Sequence, residues 1–479
     1  MSNFAISKKN TVDLSSFNYK NVTNISHMFD KCSKLEKIDL GKIDGSNITN
    51  MSYMFANCSS LNKINFVFSS LENLSFIDMR GLFLNCTNLT DIKLSDFDSK
   101  KANNISHMFE KCSQLKQIDI SPLDIKNVTD MSHMFDKCTK LERIYFGYFD
   151  TAKALNMSYM FSNCSVLTEF YFDQFSFNTG NVKDMSYMFH NCYKLNNISF
   201  PLFDAYNVIN MDSMFCNCIN LNGVFNNLSS YKIENMNRLF CNCKKLKCVN
   251  LENCYTRNLT NMHGMFSNCN QLERIDLHNF DTKKVENMSF MFSNCYNLSY
   301  IDISSFNTTN VKDMRYMFAY CYNFMDLNLF NFKARNECNV SCMFLGCNNL
   351  TRVDLINFDL ERVITNNSIF YGCVRLVRVN CLYLTPENFN GKNINLNVNN
   401  RSSNMVNVYF GCKEINMQVS GNMIIADLIY NYYQQNEFFE SRELEFRDKY
   451  NNKIPIYSDK EIITIINDSN NIELYSSIP

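Results

Sequence analysis

Met28-Phe-Asp-Lys-Cys-Ser-Lys-Leu-Glu-Lys-Ile-Asp-Leu40 carries a skeleton, Met-Phe-x-x-Cys-x-x-Leu-x-x-Ile-x-Leu, that returns along most of the chain. Its phenylalanine falls at Phe29, Phe55, Phe83, Phe109, Phe135, Phe161, Phe189, Phe215, Phe240, Phe266, Phe292, Phe318, Phe344 and Phe370. These fourteen copies have a mean spacing of about 26 residues, a solenoid period. A cysteine follows each of them by three residues, from Cys32 to Cys373. Three further on stands Leu in thirteen copies, with Phe324 the exception. Fourteen of the 22 cysteines thus share one structural position.

Five residues before each phenylalanine sits Asn, Asp or Thr, from Asn24 and Asn50 to Asn339 and Thr365. Such side chains accept an orphan backbone N–H at a helix start. In Met51-Ser-Tyr-Met-Phe-Ala-Asn-Cys58 the apolar Met51, Met54, Phe55 and Cys58 follow i, i+3, i+4, i+7, which predicts a helical turn or two with one buried face. Leu35-Glu-Lys-Ile-Asp-Leu40 predicts a short strand, and a loop such as Phe280-Asp-Thr-Lys-Lys-Val285 leads to the next cap. One unit cannot bury its own apolar face; stacked units can, and they lay a parallel sheet along one side. The expected fold class is α/β: a solenoid of fourteen repeats over 23–389, after a partial repeat or cap at 1–22.

Composition narrows the function. The chain has 479 residues, with Lys+Arg 46 against Asp+Glu 47 and a net charge of −1. That balance lacks the basic footprint of a general nucleic-acid binder, so no nucleic-acid partner is expected. No run approaches the roughly 18 consecutive apolar residues of a membrane helix, and Lys8 and Lys9 precede no apolar signal core. The reading is therefore a cytoplasmic protein with no membrane insertion. In a reducing compartment the cysteine ladder stays reduced and packs as small hydrophobes. Cys254 and Cys381 join that core by phase.

The chemically active residue types yield no catalytic, cofactor or metal site. Cys216-Asn-Cys218 and Cys241-Asn-Cys243 lie on successive repeats with Cys248 nearby, a thiol cluster that raises the question of zinc. The spacing departs from C-x₂₋₄-C, so Cys216 and Cys241 read as exposed, oxidation-prone thiols. His27, His107 and His133 share one repeat position, filled elsewhere by Tyr53, Tyr159, Tyr187 and Cys342, which marks a structural slot. The methionines, Met51, Met54, Met131 and Met134 among them, read as core. No Gly-rich phosphate loop is present among 12 glycines. The chain reads as no enzyme, with no cofactor.

What varies while the core repeats is the outward side of the strands. The candidate partner-binding residues are Glu36, Lys37, Asp39, Lys116, Asp119, Arg143, Tyr145, Glu169, Tyr171, Arg274, Asp276, Tyr300, Asp302, Arg352 and Asp354. Tyr and Arg are types enriched in binding hot spots, and extended repeat surfaces bind partners.

Phe-x-x-Cys-x-x-Leu-x-x-Ile-x-Leu followed by Phe-Asp-Thr-x-x-Val-x-x-Met-Ser-x-Met-Phe resembles the BspA-like class of leucine-rich repeats. The likeness runs from about Val12 to Leu384, close to four-fifths of the chain. It implies a leucine-rich solenoid used for adhesion or protein binding, with no catalytic residue to carry over. Cell-surface adhesion is the alternative it implies to a cytoplasmic scaffold.

Beyond Phe389 the signature stops. An Asn-rich linker is expected at 390–404 and a second domain at 405–479. Val406–Phe410 and Lys413–Val419 alternate and read as a hairpin. Asn422–Gln435 reads as a helix, with further strands at Leu444–Phe446, Lys453–Ile456 and Asn471–Tyr475. This order resembles a small α+β, β-grasp domain of ubiquitin-like kind. Asp448, Asp459 and Glu461, ahead of a short helix at Ile462–Ile466, add a likeness to the acidic half of a PB1-like domain.

Overall fold

Alternation sets the strands: each Leu-x-x-Ile-x-Leu segment turns its Ile inward and the two neighbours outward. In the computed structural model, residues 10–43, 47–65, 67–68, 78–94, 99–171, 177–199, 205–222, 230–334, 338–359, 363, 368–376 and 378–382 are described, with five short strands between 405 and 474. Lys37–Asp39, Asp91–Lys93, Gln117–Asp119, Arg143–Tyr145 and Arg274–Asp276 all show the pattern of two exposed residues flanking an inward one. Neighbouring strands pair in parallel at equal repeat phase, as in Ile118 opposite Ile144 and Ile275 opposite Ile301. Thr11–Asp13 pairs the same way with Lys37–Asp39.

The chain divides into two compact units, Met1–Leu259 with Asn268–Leu272, and Thr260–Ser267 with Glu273–Pro479. Each is a parallel β-solenoid, and each holds a second ladder one residue wide at the Asn/Asp position. In the first unit it runs from Asn24 through Asn50 and Asp78 to Asn235; in the second it links Asn261, Asn287, Asp313 and Asn339.

The predicted helices are absent among the described residues, and the α/β class is corrected to all-β there. The reason lies in two backbone positions per repeat. His27 and Lys31 have φ of +55° and +63°, Tyr53 and Asn57 +57° and +61°, and the pattern recurs. No helix holds a left-handed residue in its interior, whereas the third residue of a type II turn requires one. Donors therefore alternate. Ile25, His27, Phe29 and Lys31 give their N–H to Asn50, Ser52, Met54 and Ala56 of the next repeat at 2.8–3.0 Å. Met28, Asp30 and Cys32 bond three residues back, to Ile25, His27 and Phe29. The expected caps keep part of their role: Asn24 Oδ1 accepts the Ser26 N–H at 2.8 Å and Asn50 Oδ1 that of Ser52 at 2.9 Å, opening a turn instead of a helix.

The i, i+3, i+4, i+7 residues still point inward. Phenylalanine rings stack from Phe29 to Phe240 in the first unit and from Phe266 to Phe370 in the second, with centroids 5.2–5.7 Å apart. Met51, Met54, Met131 and Met134 are fully buried beside them, as expected. The ladder cysteines are buried free thiols. Each from Cys58 onward donates its S–H to the phenylalanine carbonyl of the preceding repeat, as Cys58 does to Phe29 O at 3.1 Å and Cys138 to Phe109 O at 3.1 Å. That same carbonyl accepts the turn N–H, Cys32 N to Phe29 O at 3.0 Å. Both lone pairs are used, which a buried carbonyl requires. A Cys side chain is small enough to fit and still supplies the second donor.

At the C-terminal end the expected hairpin is present: Met405–Phe410 runs antiparallel to Lys413–Gln418. Ile472–Leu474 lies parallel on the other side of Met405–Phe410, and Phe446–Arg447 pairs antiparallel with Lys453–Ile454. The expected linker at 390–404 and helices at 422–435 and 462–466 lie outside the described residues, as does Cys412.

Candidate functional site

Two surfaces carry side chains with chemistry: the outward strand face, and the polar side of the turn run around each phenylalanine. On the strand face Glu36, Lys37, Asp39, Lys116, Asp119, Arg143, Arg274, Asp276 and Arg352 are exposed. So are Tyr145 and Tyr300, at 50% and 48%. Asp302 and Asp354 are half-buried. Glu169 and Tyr171 are the first and last residues of a strand paired with Asn197–Ser199, and their side chains lie outside the described set.

Register brings some of these residues together. Arg143 lies opposite Gln117, and Tyr145 opposite Asp119. The Arg274 guanidinium sits 5.1 Å from the ring centre of Tyr300 on the neighbouring strand, a cation–π contact. Arg352 forks onto Asp326 with two bonds of 3.0 Å, and that hydrogen bond holds the Asp326 carboxyl below the ordinary range. Lys63 meets Asp91 at 3.2 Å in the same cross-strand way.

The aspartates on this face serve the backbone as well. Asp39, Asp119, Asp276 and Asp302 end their strands by accepting the N–H two residues on, from Gly41, Ser121, His278 and Ser304 at 2.8–3.0 Å. These are Asx turns, and Asp13 repeats the arrangement with Ser15. One carboxylate oxygen of each is thereby engaged; the sequence signal was an Asp at one fixed phase.

On the turn run, side chains stack by phase. His27 lies on Tyr53 with ring centres 5.0 Å apart, and His107, His133, Tyr159 and Tyr187 form a continuous pile at 4.4–4.6 Å. Two residues after the phenylalanines stands an asparagine ladder that sequence reasoning missed. Asn242, Asn217 and Asn191 each donate Nδ2 to the preceding asparagine at 2.7–2.8 Å, and Asn163 ends the ladder on Asp136 Oδ1 at 3.0 Å. Every amide points the same way, so the first needs an acceptor-only group; Asp136 supplies it, as Asp30 does for Asn57 and Asn85. The recurring Asn at a position of positive φ was the available signal.

Cys216 is buried and Cys241 half-buried, which corrects their expected exposure. They share a phase on adjacent repeats. The neighbouring Cys241 sulfur and burial keep Cys216 protonated, and Cys216 together with Arg238 holds Cys241 below its ordinary value. Cys254 is core, its thiol pushed up to about 12 by burial. Cys381 lies in the strand Arg378–Leu382. Among the described residues no helix is long and apolar enough to cross a membrane.

A family model described as "Mycoplasma protein of unknown function, DUF285" matches five overlapping stretches, residues 1–118, 67–169, 167–275, 260–379 and 302–422. No curated protein matches the chain. Among solved structures, a leucine-rich repeat protein from Bacteroides ovatus is 20% identical over 77% of this chain and 86% of its own, with a TM-score of 0.49. A leucine rich cell surface protein from Faecalibacterium prausnitzii is 16% identical over 78% of this chain and 88% of its own, with a TM-score of 0.33. A leucine-rich repeat protein from Eubacterium ventriosum is 16% identical over 66% and 77%, with a TM-score of 0.29.

Proposed function

The chain belongs to the family described as Mycoplasma protein of unknown function, DUF285, and on that premise we propose that it is a non-enzymatic scaffold that binds a protein partner through its outward strand face. One observation carries the reading: the inward positions keep one residue type, apolar, while a single exposed phase changes from Lys37 to Gln117, Arg143, Arg274 and Tyr300. A surface kept only for solubility needs no exposed tyrosines at 50% and 48%; Tyr and Arg together are what interfaces use as anchors.

The C-terminal strands support a second interaction module of β-grasp kind, ubiquitin-like or PB1-like. Their order places Met405–Phe410 between its antiparallel hairpin partner and the parallel Ile472–Leu474, an arrangement in which first and last strands sit side by side. A surface adhesin of the BspA-like class is the alternative reading of the same face. Protease treatment of intact cells separates the two locations: cleavage of a tagged chain on intact cells supports the adhesin, and protection until lysis supports the cytoplasmic scaffold.

The test of the binding face uses affinity capture with the full chain. Arg143→Ser with Tyr145→Ser, and separately Arg274→Ser with Tyr300→Ser, should each weaken retention of a captured protein. Lys126→Ser with Lys153→Ser, on exposed loops, should leave it unchanged. Equal retention by all variants, or no captured protein at about 10 μM bait, overturns the proposal.

A further inference from the structure

We propose that His107, Glu110, His133 and Asp136 form a binding site for a transition-metal dication of the Zn²⁺, Co²⁺ or Ni²⁺ class. The motif His-Met-Phe-Asp/Glu-Lys-Cys occurs at 27–32, 107–112 and 133–138. The turn geometry places its His and its carboxylate, three residues apart, on one side of the chain. His107 Nδ1 lies 2.6 Å from Glu110 Oε2, and His133 Nδ1 3.3 Å from Asp136 Oδ2. The last two copies fall on adjacent repeats, so their rings stack 4.6 Å apart at 11°. The ligand atoms of His107, Glu110 and His133 all lie within 4.8 Å of one another, and Asp136 Oδ2, beside His133, is the nearest candidate for a fourth donor.

The cluster has the features of a metal site that an exposed acidic patch lacks. Its carboxylates are nearly out of water: the Glu110 side chain is 10% exposed and that of Asp136 3%. Each is oriented by a further partner. Asn163 holds Asp136 Oδ1 and leaves Oδ2 facing His133; Lys111 holds Glu110 Oε1 at 3.1 Å and leaves Oε2 facing His107. Such outer hydrogen bonds are what fix ligands in metal centres. Two imidazole nitrogens and two carboxylate oxygens favour zinc, cobalt or nickel over calcium and magnesium, which take oxygen alone.

Binding asks little of the frame. Tetrahedral ligation at about 2.0–2.1 Å sets donor atoms about 3.3 Å apart, so atoms now up to 4.8 Å apart close by at most about 1.5 Å and the His107–Glu110 pair, at 2.6 Å, opens by about 0.7 Å, within reach of side-chain rotation of partly exposed rings. The proton on each Nδ1 moves to Nε2, which frees the lone pair and leaves each ring neutral. Lys111 keeps its bond to Glu110 Oε1, while Lys137, 3.4 Å from Asp136 Oδ2 and half-exposed, swings to solvent as the cation takes over that oxygen. The third copy is a built-in control. His27 faces Asp30 at 3.2 Å but stacks on Tyr53, so it offers one nitrogen and one carboxylate only.

The test is titration of the full-length reduced protein with CoCl₂, read by visible absorption. One equivalent should bind with d–d bands and no thiolate charge-transfer band, since cysteines are not ligands. His107→Asn and His133→Asn, chosen because Asn tolerates the φ of +58° and +56° there, should each weaken binding at least about tenfold. His27→Asn should change nothing. Absence of binding at millimolar CoCl₂, a thiolate band, or unchanged affinity in folded His133→Asn each overturns the proposal. The spectrum of the unaltered protein decides even where a variant fails to fold.

Discussion

Replacing Asn163 by Gly and, separately, by Ala asks whether the run after each Asn/Asp is a chain of turns or a helix, because the two conformations reverse the order of the variants. Asn163 has a φ of +60°, donates to Asp136 Oδ1 at 3.0 Å and accepts from Asn191 at 2.8 Å. Both substitutions lose these two bonds, about 1 kcal/mol each, so both destabilise. They differ in the backbone. Ala in the left-handed region costs about 1–2 kcal/mol, offset by about 0.4–1 kcal/mol from its stiffer unfolded chain. The net favours Gly, by about 0–1.6 kcal/mol with a midpoint near 0.8. In a helix the same comparison favours Ala by about 1 kcal/mol. Urea midpoints of the full chain, compared at constant slope and repeated at Asn191 and Asn217, decide the sign. Hydrogen exchange at Phe161 and Asn163, whose N–H groups bond to Met188 and His190 of the next repeat, reads the same effect locally. Ala more stable than Gly at all three sites would refute the turn geometry.

Phe135→Ala, which empties a fully buried position between Phe109 and Phe161, should cost about 3–5 kcal/mol, with Phe135→Leu costing less, by the same urea assay. Thiol titration of the native protein should find Cys248 fastest among the described cysteines, with Cys241 and Cys342 slower and the ladder silent until unfolding; Cys248→Ser should remove the fast phase. Acid should weaken the first unit through Asp136. Burial pushes its carboxyl up, but bonds from His133 and Asn163 and the Lys137 charge outweigh this and hold it below the ordinary value. A depressed carboxylate contributes stability above its unfolded pKa near 4 and loses it as pH falls through the lower folded value. Asp136→Asn should flatten that limb of a stability–pH curve.

Strands and core were legible because their cause is local: alternation around each Ile, and one Cys and one Phe per period. The helices were misjudged because i, i+3, i+4, i+7 is a pattern of inward directions, and two consecutive turns place Met51, Met54, Phe55 and Cys58 inward as well as a helix does. The discriminating signal was Asn or Gly two residues after the phenylalanine in ten of the fourteen repeats, Lys or Tyr filling the other four, a preference that positive φ explains and helix propensity does not. On the strand face, exposure was read correctly for Lys37, Arg143 and Tyr145, while the aspartates' bond to the next turn follows from strand endings that alternation does not describe. His107 and His133 were seen as members of one slot. Their meeting with Glu110 and Asp136 depends on two adjacent repeats carrying the same motif, a relation between rows that a single row does not display.

The hydrogen bonds of the turn run have a direction. His27 gives to Ser52, Tyr53 to Arg80, His107 to Ser132 and His133 to Ser158, always from the earlier repeat to the later. The peptide dipoles of this run therefore add along the stacking axis, as they do in a helix. A stack built this way has two chemically unlike ends, one offering unmatched carbonyls and the other unmatched N–H groups. Two copies meeting end to end about a two-fold axis would set like against like. Only head-to-tail contact matches donor to acceptor, and such contact grows as an open filament unless its rotation closes a ring. Any exposed end of such a run therefore has a single permitted sense of addition.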